Sequence, residues 1–349
     1  MVLYYFAGFF ILIALLPLVH IKHWAVRGWD YVRVQTSFLQ AFVIFLILIL
    51  SYPERDWQWG MLIGLIATLT LQIIIVIPYS KIYPVGRKRP KNTSHLKKLS
   101  LITANVLQDN REYDKFRDLI YKEEPDVFLT METDKKWEAE LECFEKDYPY
   151  TVKVPIDNYY GMHLYSKYKL TDTRVEYMVE EDVPSIFTKV HYRKGDPLNL
   201  ICVHPAPPSP TENETSKERD AELLLAGKKV RDLNAPIVVC GDLNDVVWSR
   251  VSRLFRKMTG LIDPRIGRGL YPTFHAEYWY LRFPIDHMFH SQDIYVEEMR
   301  RLSYYGSDHF PMYFSLLIKN GTPVDTHPDL DKETEEEIEE NIEEGVEAH

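Results

Sequence analysis

Ile237-Val-Val-Cys-Gly-Asp-Leu-Asn-Asp245 is an apolar run, rich in β-branched residues, that reaches a glycine and then Asp242, Asn244 and Asp245. A run this apolar is expected in a strand that is covered on both faces. Because side chains alternate along a strand, Asp242 and Asn244 are predicted to lie on the same side. A carboxylate beside a carboxamide suits an active site, since the carboxylate binds a proton or a cation and the amide orients a water or a phosphate oxygen. The same residues are also typical of a turn that reverses the chain.

Charge is distributed unevenly along the 349 residues. Residues 1–95 have nine Lys/Arg and three Asp/Glu, residues 96–320 have 31 and 36, and residues 321–349 have one and twelve. The net charge of −10 therefore comes mostly from the C-terminal tail. The middle section lacks the basic excess that is expected of a domain gripping long nucleic acid through many phosphates.

Three apolar stretches without a charged residue lie near the N-terminus, at Tyr4–Val19, Phe38–Leu50 and Trp59–Ile77. The last is close to the roughly 20 residues that a bilayer crossing needs. Trp and Tyr residues gather at the ends of these stretches, as expected for side chains that settle at the level of the lipid headgroups. The sequence therefore predicts a membrane anchor of three transmembrane helices over residues 1–80. Buried core helices are the alternative for all three.

Basic residues in the connecting segments predict the orientation of this anchor. Lys22, Arg27 and Arg33 follow the first stretch, and residues 81–95 form a basic linker. By the positive-inside rule the N-terminus is outside and everything after residue 80 faces the cytoplasm. We therefore expect a multi-pass protein of the cell (inner) membrane whose linker lies against anionic headgroups of the lipid bilayer. Nucleic-acid binding or nuclear localisation is the competing interpretation of such a basic cluster.

The pattern changes after residue 96, where short β-type runs alternate with amphipathic helices. This order predicts an α/β domain over residues 96–320, with two packed sheets and helices outside them. Residues 321–349 have few apolar positions and no aromatic residue. They are expected to form an acidic, disordered tail, because they cannot bury enough surface to offset the entropy of ordering.

Polar side chains occur where several apolar runs of this domain end. Taken singly, each of them has an ordinary explanation as a turn residue or a helix cap. They form a set of eight candidate site residues: Asn105, Glu132, His204, Asp242, Asn244, Asp286, Asp308 and His309.

In their order and separation these residues and their neighbours resemble the endonuclease/exonuclease/phosphatase superfamily, which includes pancreatic deoxyribonuclease, abasic-site endonucleases, neutral sphingomyelinases and inositol-polyphosphate 5-phosphatases. The resemblance covers roughly residues 96–317. Its motifs are Thr-Ala-Asn105-Val, Pro-Asp-Val-Phe-Leu-Thr-Met-Glu132, Tyr-Tyr-Gly161-Met-His-Leu-Tyr-Ser166, Val-His204-Pro, Gly-Asp242-Leu-Asn244, Pro-Ile-Asp286-His287 and Gly-Ser-Asp308-His309-Phe-Pro311. With three apolar stretches and a basic linker before it, the domain looks most like the membrane-anchored bacterial members.

The resemblance implies a four-layer α/β/β/α sandwich and a Mg²⁺- or Mn²⁺-dependent hydrolase of phosphate esters. A hard divalent cation prefers oxygen ligands, and Glu132 is expected to be the principal one with Asn105 close by. Asp308 is expected to add a further oxygen or to hold one of the ligands in place. Asp242 is then expected to position or deprotonate the attacking water, although a His309–Asp286 pair is an alternative base. In this scheme Asn244, His204 and His309 contact the phosphate, and Asp286 fixes the tautomer and charge of His309.

The resemblance is compatible with more than one substrate. The expected substrate is a lipid head group or a soluble phosphoester, and the main alternative is a nuclease that cuts DNA or RNA. A catalytically inactive membrane scaffold is the alternative from another class. His163 is expected to be a structural histidine, whereas His275 and Tyr278-Trp279-Tyr280 belong to a loop that can line the substrate entrance.

Overall fold

The computed structural model of the chain describes residues 1–86, 90, 92–93, 96–193, 197–234, 236–319 and 328–348. These residues divide into two units. The first comprises Met1–Pro84, Pro208–Ser216 and Ile266–Gly269, and the second comprises Val85–Pro207, Lys217–Arg265 and Leu270–His349. Much of the predicted basic linker, and residues 320–327 at the start of the predicted tail, lie outside the described residues.

Four helices form the first unit: α1 Val2–Leu15, α2 Trp24–Tyr31, α3 Arg33–Leu50 and α4 Asp56–Val76. Two of the described helical segments, Arg33–Leu50 and Asp56–Tyr79, are long and apolar enough to cross a membrane by length and composition. The segment Val2–Leu18 is shorter, because α1 gives way to a 3₁₀ turn that contains Pro17. Proline cannot continue the hydrogen-bond ladder of an α-helix. The three predicted apolar helices are thus present, and two of them have a membrane-spanning length.

A polar network lies inside this helical unit. The side chain of Gln72 on α4 donates to Gln40 on α3 at 2.6 Å, and the Gln72 oxygen accepts from Thr36 at 3.0 Å. Gln40 also donates to Thr68 on α4 at 3.2 Å and to the carbonyl of Phe10 on α1 at 3.1 Å. Hydrogen bonds of this kind hold helices together where the surroundings are apolar.

Two loop segments that lie later in the sequence belong to the same unit. Trp24 N donates to Glu214 O at 3.0 Å, and Ser216 N donates to Lys22 O at 2.8 Å. Gly267 N donates to Pro78 O at 2.8 Å. The first unit therefore contains these two loops in addition to the N-terminal helices.

The second unit contains two mixed sheets, with strand orders β10-β11-β1-β2-β4-β3 and β5-β6-β7-β8-β9. Pairs β1/β2 and β7/β8 are parallel and the other pairs are antiparallel. The strands are β1 Lys97–Asn105, β2 Val127–Met131, β3 Tyr150–Val154, β4 Met162–Ser166, β5 Leu170–Glu176, β6 Ser185–Val190, β7 Leu198–Cys202, β8 Ile237–Asp242, β9 Asp286–His290, β10 Ile294–Arg301 and β11 Met312–Ile318.

Helices cover the outer faces of the two sheets. One apolar cluster contains residues from both sheets and forms the layer between them, with Leu129 and Val238 as members. A second cluster joins the outer face of the first sheet to α5 Tyr113–Glu123 and α6 Lys135–Leu141. A third joins the other sheet to α7 Lys217–Arg231 and α8 Arg250–Thr259. This is the predicted four-layer α/β/β/α sandwich.

The acidic C-terminal segment differs from its prediction. Residues Lys332–Ala348 form helix α9, in which Ile338 and Ile342 are buried in the cluster shared with α7 and α8. Lys228 and Lys257 form ion pairs with acidic residues of this helix or of the residues just before it, at 2.6 and 2.8 Å. The expectation of disorder was wrong for residues 332–348, because two isoleucines on one face suffice when the neighbouring helices supply a complementary apolar and basic surface.

Candidate active site

The candidate residues lie at neighbouring ends of strands from both sheets. Asn105 is the last residue of β1, and Glu132 directly follows β2, its parallel neighbour. Asp242 is the last residue of β8 in the other sheet, and its backbone N–H donates to the sulfur of Met131 at 3.1 Å. The layered fold therefore brings together three polar side chains that are far apart in the sequence.

Gly241 lets β8 approach its neighbour at this point. Its φ is +147°, and a Cβ atom placed there would lie 1.9 Å from the carbonyl oxygen of Val203. No side chain fits in that space, so a glycine is required directly before Asp242. The glycine of the Gly-Asp-Leu-Asn motif thus has a steric role in placing the carboxylate.

The amide of Asn105 connects two carboxylates. Its Nδ2 donates to Glu132 Oε1 at 2.7 Å and to Asp242 Oδ2 at 3.1 Å. Burial is the main cause that raises the pKa of Glu132 to about 7, and the nearby charges of Asp308 and Asp242 act in the same direction. Burial and the charge of Asp286 likewise raise the pKa of Asp242.

His309 lies between two carboxylates. Its Nδ1 is 2.8 Å from Asp286 Oδ2, and its Nε2 is 3.4 Å from Asp242 Oδ2. Burial opposes a charged ring, but the carboxylates of Asp286 and Asp242 outweigh it and raise the pKa of His309 to about 10. This imidazolium is hydrogen-bonded to Asp286 and offers positive charge in a site rich in carboxylates.

His204 is the second histidine of the site and has the opposite charge preference. It follows β7, is buried, and its Nδ1 has no hydrogen-bond partner among the residues that the structure describes. Burial, followed by the positive charge of His309, lowers its pKa to about 3. The ring is therefore neutral, and its unpaired nitrogen is a polar group that a bound ligand can satisfy.

The side chain of Asn244 adopts a different position from the one expected. It donates to the carbonyl of Pro205 at 3.0 Å, while its backbone N–H donates to Asp242 Oδ1 at 2.9 Å. Strand β8 ends at Asp242 and Asn244 has a φ of +48°, so alternation along the strand no longer applies there. Asn244 lies in the turn that fixes Asp242 and the segment after His204. Its contact with a phosphate stays a prediction.

Two residues that the sequence did not single out hold the loop before Asp308 and His309. The hydroxyls of Tyr305 and Ser307 both donate to the backbone carbonyl of Asn105, at 2.5 and 2.7 Å. Ser307 Oγ also accepts from the backbone N–H of His309 at 3.0 Å. Ser307 stands inside the Gly-Ser-Asp-His motif, which was the available signal for it. Nothing in the sequence pointed to Tyr305.

A buried ionic group behind the site was also missed. Arg265 forms a bidentate pair with Asp263 and donates to His287 Nδ1, each at 2.9 Å. His287 Nε2 is 2.8 Å from the carbonyl of Asp245, and Arg265 Nη1 is 3.3 Å from the carbonyl of Asp286. These bonds tie the turn after Asp242 to the strand that starts at Asp286. Sequence patterns alone cannot indicate such a pairing.

The donor set fits a hard divalent cation. The site contains four carboxylates, those of Glu132, Asp242, Asp286 and Asp308. The charged ring of His309 is the cationic partner of Asp242 and Asp286. Ligand atoms of Asp242, Asp286 and His309 lie within 4.8 Å of one another, an arrangement that is able to hold a metal ion. Oxygen-rich sites of this kind suit Mg²⁺ or Mn²⁺ rather than softer metals. Burial is the main cause that raises the pKa values of Glu132 and Asp242, and it disfavours their charged forms, whereas a bound cation would favour them.

Comparison with known proteins agrees with this fold. A family model described as "Endonuclease/Exonuclease/phosphatase family" matches residues 102–309, which is more than half of the chain. The chain therefore belongs to the endonuclease/exonuclease/phosphatase family. No curated protein sequence matches it.

Solved structures show the same fold at low sequence identity. The TDP2 protein of D. rerio complexed with a single-strand DNA product has a TM-score of 0.55 and 17% identity, covering 63% of this chain and 99% of that one. An endonuclease/exonuclease/phosphatase from Bacteroides vulgatus has a TM-score of 0.52 and 18% identity, covering 64% and 100%. The human Nocturnin catalytic domain with bound sulfate has a TM-score of 0.52 and 14% identity, covering 66% and 100%.

Proposed function

We propose that this protein is a membrane-anchored, divalent-metal-dependent phosphoesterase that hydrolyses a phosphate ester with an activated water. The observation that supports this most directly is the position of His309, whose Nδ1 and Nε2 lie 2.8 and 3.4 Å from carboxylate oxygens of Asp286 and Asp242. An imidazolium held in this way is a suitable partner for the negative charge that develops on phosphate during attack by water.

The role that we assign to each side chain follows from its charge and its contacts. Asp242 is the group that we assign to orient the attacking water and accept its proton, with the His309–Asp286 pair as the alternative base. The neutral ring of His204, with its unpaired nitrogen, and the charged ring of His309 are assigned to the phosphoryl oxygens. Asn244 holds the carbonyl of Pro205, and so keeps the segment of His204 in place.

We assign the metal to Glu132, with Asn105 and Asp308 as further oxygen donors. The two nitrogens of His309 face the carboxylates of Asp286 and Asp242. The ring is therefore a poor ligand for a metal ion that would bind beside these two aspartates. When bound, a divalent cation stabilises charge on the phosphoryl oxygens and orients the substrate. Isothermal titration of Mg²⁺ into variants of Glu132 and of Asp286 separates the two positions.

The domain arrangement is part of the same proposal. Residues 1–80 anchor the chain in the cell (inner) membrane, residues 81–95 link the anchor to the catalytic domain of residues 96–320, and this domain faces the cytoplasm. Two helical segments of spanning length, Arg33–Leu50 and Asp56–Tyr79, support the anchor. The polar network of Gln40 and Gln72 supports it too, since it satisfies polar groups inside the helical unit.

A nuclease remains the second candidate, because one structural neighbour is complexed with a single-strand DNA product. The excess of acidic residues in the middle section weighs against it. The test is an assay of the full chain in detergent with Mg²⁺ or Mn²⁺ against bis-p-nitrophenyl phosphate, plasmid DNA, sphingomyelin and phosphoinositides. Metal-dependent release of product from a phosphoester supports the proposal. Inactivity on every substrate, together with no Mg²⁺ binding, contradicts it and favours a scaffold.

A further inference from the structure

An exposed aromatic loop lies beside the candidate active site. Residues 274–283 form a narrow loop whose two arms are hydrogen-bonded to each other. Phe274 N donates to Phe283 O at 3.1 Å, and His275 N donates to Leu281 O at 3.0 Å. Its tip, Tyr278–Leu281, is named the aromatic tip here. The exposed fractions of its four side chains are 46%, 77%, 53% and 40%. Four consecutive large apolar or aromatic side chains in water indicate a surface that another partner covers.

The base of this loop is attached to the catalytic loop. Ala276 N donates to the carbonyl of Asp308 at 2.6 Å, and Phe310 N donates to the carbonyl of Thr273 at 3.1 Å. The ring of Phe274 lies 4.9 Å from the ring of His309. Whatever covers the aromatic tip therefore lies next to the groups that we assign to the phosphate.

The charged residues that flank the tip are already engaged. Tyr304 donates to Glu277 Oε1 at 3.0 Å. Arg282 donates to the carbonyl of Ala276 at 2.9 Å, and its guanidinium lies 5.0 Å from the centre of the Phe310 ring. The four residues of the tip thus present aromatic and aliphatic surface, and the positive charge of Arg282 lies at its base.

We propose that the aromatic tip docks into the headgroup region of a lipid bilayer, and that the site consequently takes its phosphoester from the membrane surface. This inference rests on the proposed function and adds the class of substrate to it. Trp and Tyr with a neighbouring Leu are the residue types that partition into the membrane interface. The same chain has two helical segments that are long and apolar enough to cross a membrane, and this favours a bilayer as the partner.

A stacked nucleobase is the other partner that exposed aromatic rings can bind. Proteins that stack bases in single strands combine those rings with a cationic groove that follows the phosphates. Beside the aromatic tip, Arg282 and Arg301 stand over the same Phe310 ring at 5.0 and 4.2 Å, and each donates to a backbone carbonyl. The observations therefore favour lipid over nucleic acid.

Site-specific photo-crosslinking of the full chain tests this directly. Trp279→p-benzoylphenylalanine is reconstituted in nanodiscs of phosphatidylcholine with phosphatidylglycerol, irradiated, and analysed by mass spectrometry. The matched control is Tyr121→p-benzoylphenylalanine. Tyr121 is 49% exposed and lies near the C-terminal end of α5, which leads into the start of β2. The candidate site lies at the opposite end of β2, so Tyr121 is an exposed aromatic residue away from the site. A single-stranded oligonucleotide is added in a parallel sample.

The expected result is a mass increase of one phospholipid at position 279 and no lipid adduct at position 121. Absence of a lipid adduct at position 279, equal adducts at both positions, or a chain that does not associate with the discs overturns the inference. An adduct with the oligonucleotide in preference to lipid also overturns it, in favour of base stacking. Crosslinking needs no turnover, so a chain that is inactive on every phosphoester and binds no Mg²⁺ refutes the proposed function without affecting this readout.

Discussion

Asp242 and Asp286 are register partners on the antiparallel strands β8 and β9, and the ring of His309 lies between their carboxylates. The two acids are 44 residues apart in the chain, and the strand pairing fixes their separation. Because both face one imidazole, the three side chains form a single electrostatic unit. Changing one of them is expected to alter the behaviour of the others.

Removal of the metal ligand is the first test. We expect Glu132→Gln to lose most activity and to weaken Mg²⁺ binding in isothermal titration, because the neutral amide is a poor ligand for a hard cation. Glu298→Gln, an exposed change on β10, is the control and should behave like the unmodified protein. Circular dichroism should be unchanged in both. Full activity in the presence of EDTA would contradict the assigned mechanism.

The pairing of His309 with Asp286 predicts non-additive kinetics. His309→Ala and Asp286→Ala should each cost on the order of 2–4 kcal/mol of transition-state stabilisation, as is typical of one such donor. The double variant should lose little more than the worse single variant, since groups that act as a unit are not additive. The measurement is kcat/KM on the phosphoester found in the screen. Strictly additive losses would show that the two residues act independently.

Glu222 predicts a pH dependence of stability that is unrelated to catalysis. Burial raises its pKa to about 7, from 4.5, and Ser185 donates to its Oε1 at 2.8 Å. The folded state therefore favours the protonated acid. Its contribution to the free energy of unfolding is present below pH 4.5 and is lost as the pH rises through about 7.

We expect Glu222→Gln to remove this loss, which is on the order of 3 kcal/mol. Thermal unfolding in detergent from pH 4.5 to 8 should show a smaller fall in Tm for the variant than for the unmodified chain. Glu335→Gln, on the exposed face of α9, is the control. An identical fall in Tm in all three proteins would mean that ionisation of Glu222 does not lower the stability of the folded protein.

Helix α9 should contribute to the stability of the domain. A Cβ atom on Gly345 would lie 2.3 Å from Ala221 Cβ and 2.4 Å from the carbonyl of Lys217. Gly345→Val should therefore displace the helix from α7 and cost about 1–3 kcal/mol, as overpacking usually does. Hydrogen exchange of residues 332–348 and Tm are the measurements. Val346→Ala, at a position that is 52% exposed, is the neighbouring control and should leave both unchanged.

Topology is tested with reporter fusions. If the domain faces the cytoplasm, green fluorescent protein fused after the last residue should be fluorescent, and alkaline phosphatase fused there should be inactive. A fusion in the connection at Glu54, between α3 and α4, should give the reverse pattern. The opposite outcome at both positions would place the active site outside the cytoplasm and change the candidate substrates.

Much of the fold followed from local patterns. The run Ile237–Asp242 was predicted as a buried strand that ends at the site, and the structure places β8 there. Alternating strands and helices predicted two packed sheets, because the periodicity of apolar residues depends only on which face of each element is buried. Asn105, Glu132 and Asp242 were found in the same way, as polar residues at the ends of apolar runs.

What the sequence by itself determined was therefore the order of the elements and the residues at their ends. The tertiary structure alone decided which of them meet: the Asn105 amide between Glu132 and Asp242, His309 between two acids, and Asn244 turned toward Pro205. It also decided that the acidic C-terminal segment becomes a helix. The physical reason is the same in each case, because these contacts join residues distant in the chain, and their energy depends on surfaces and charges that other elements supply.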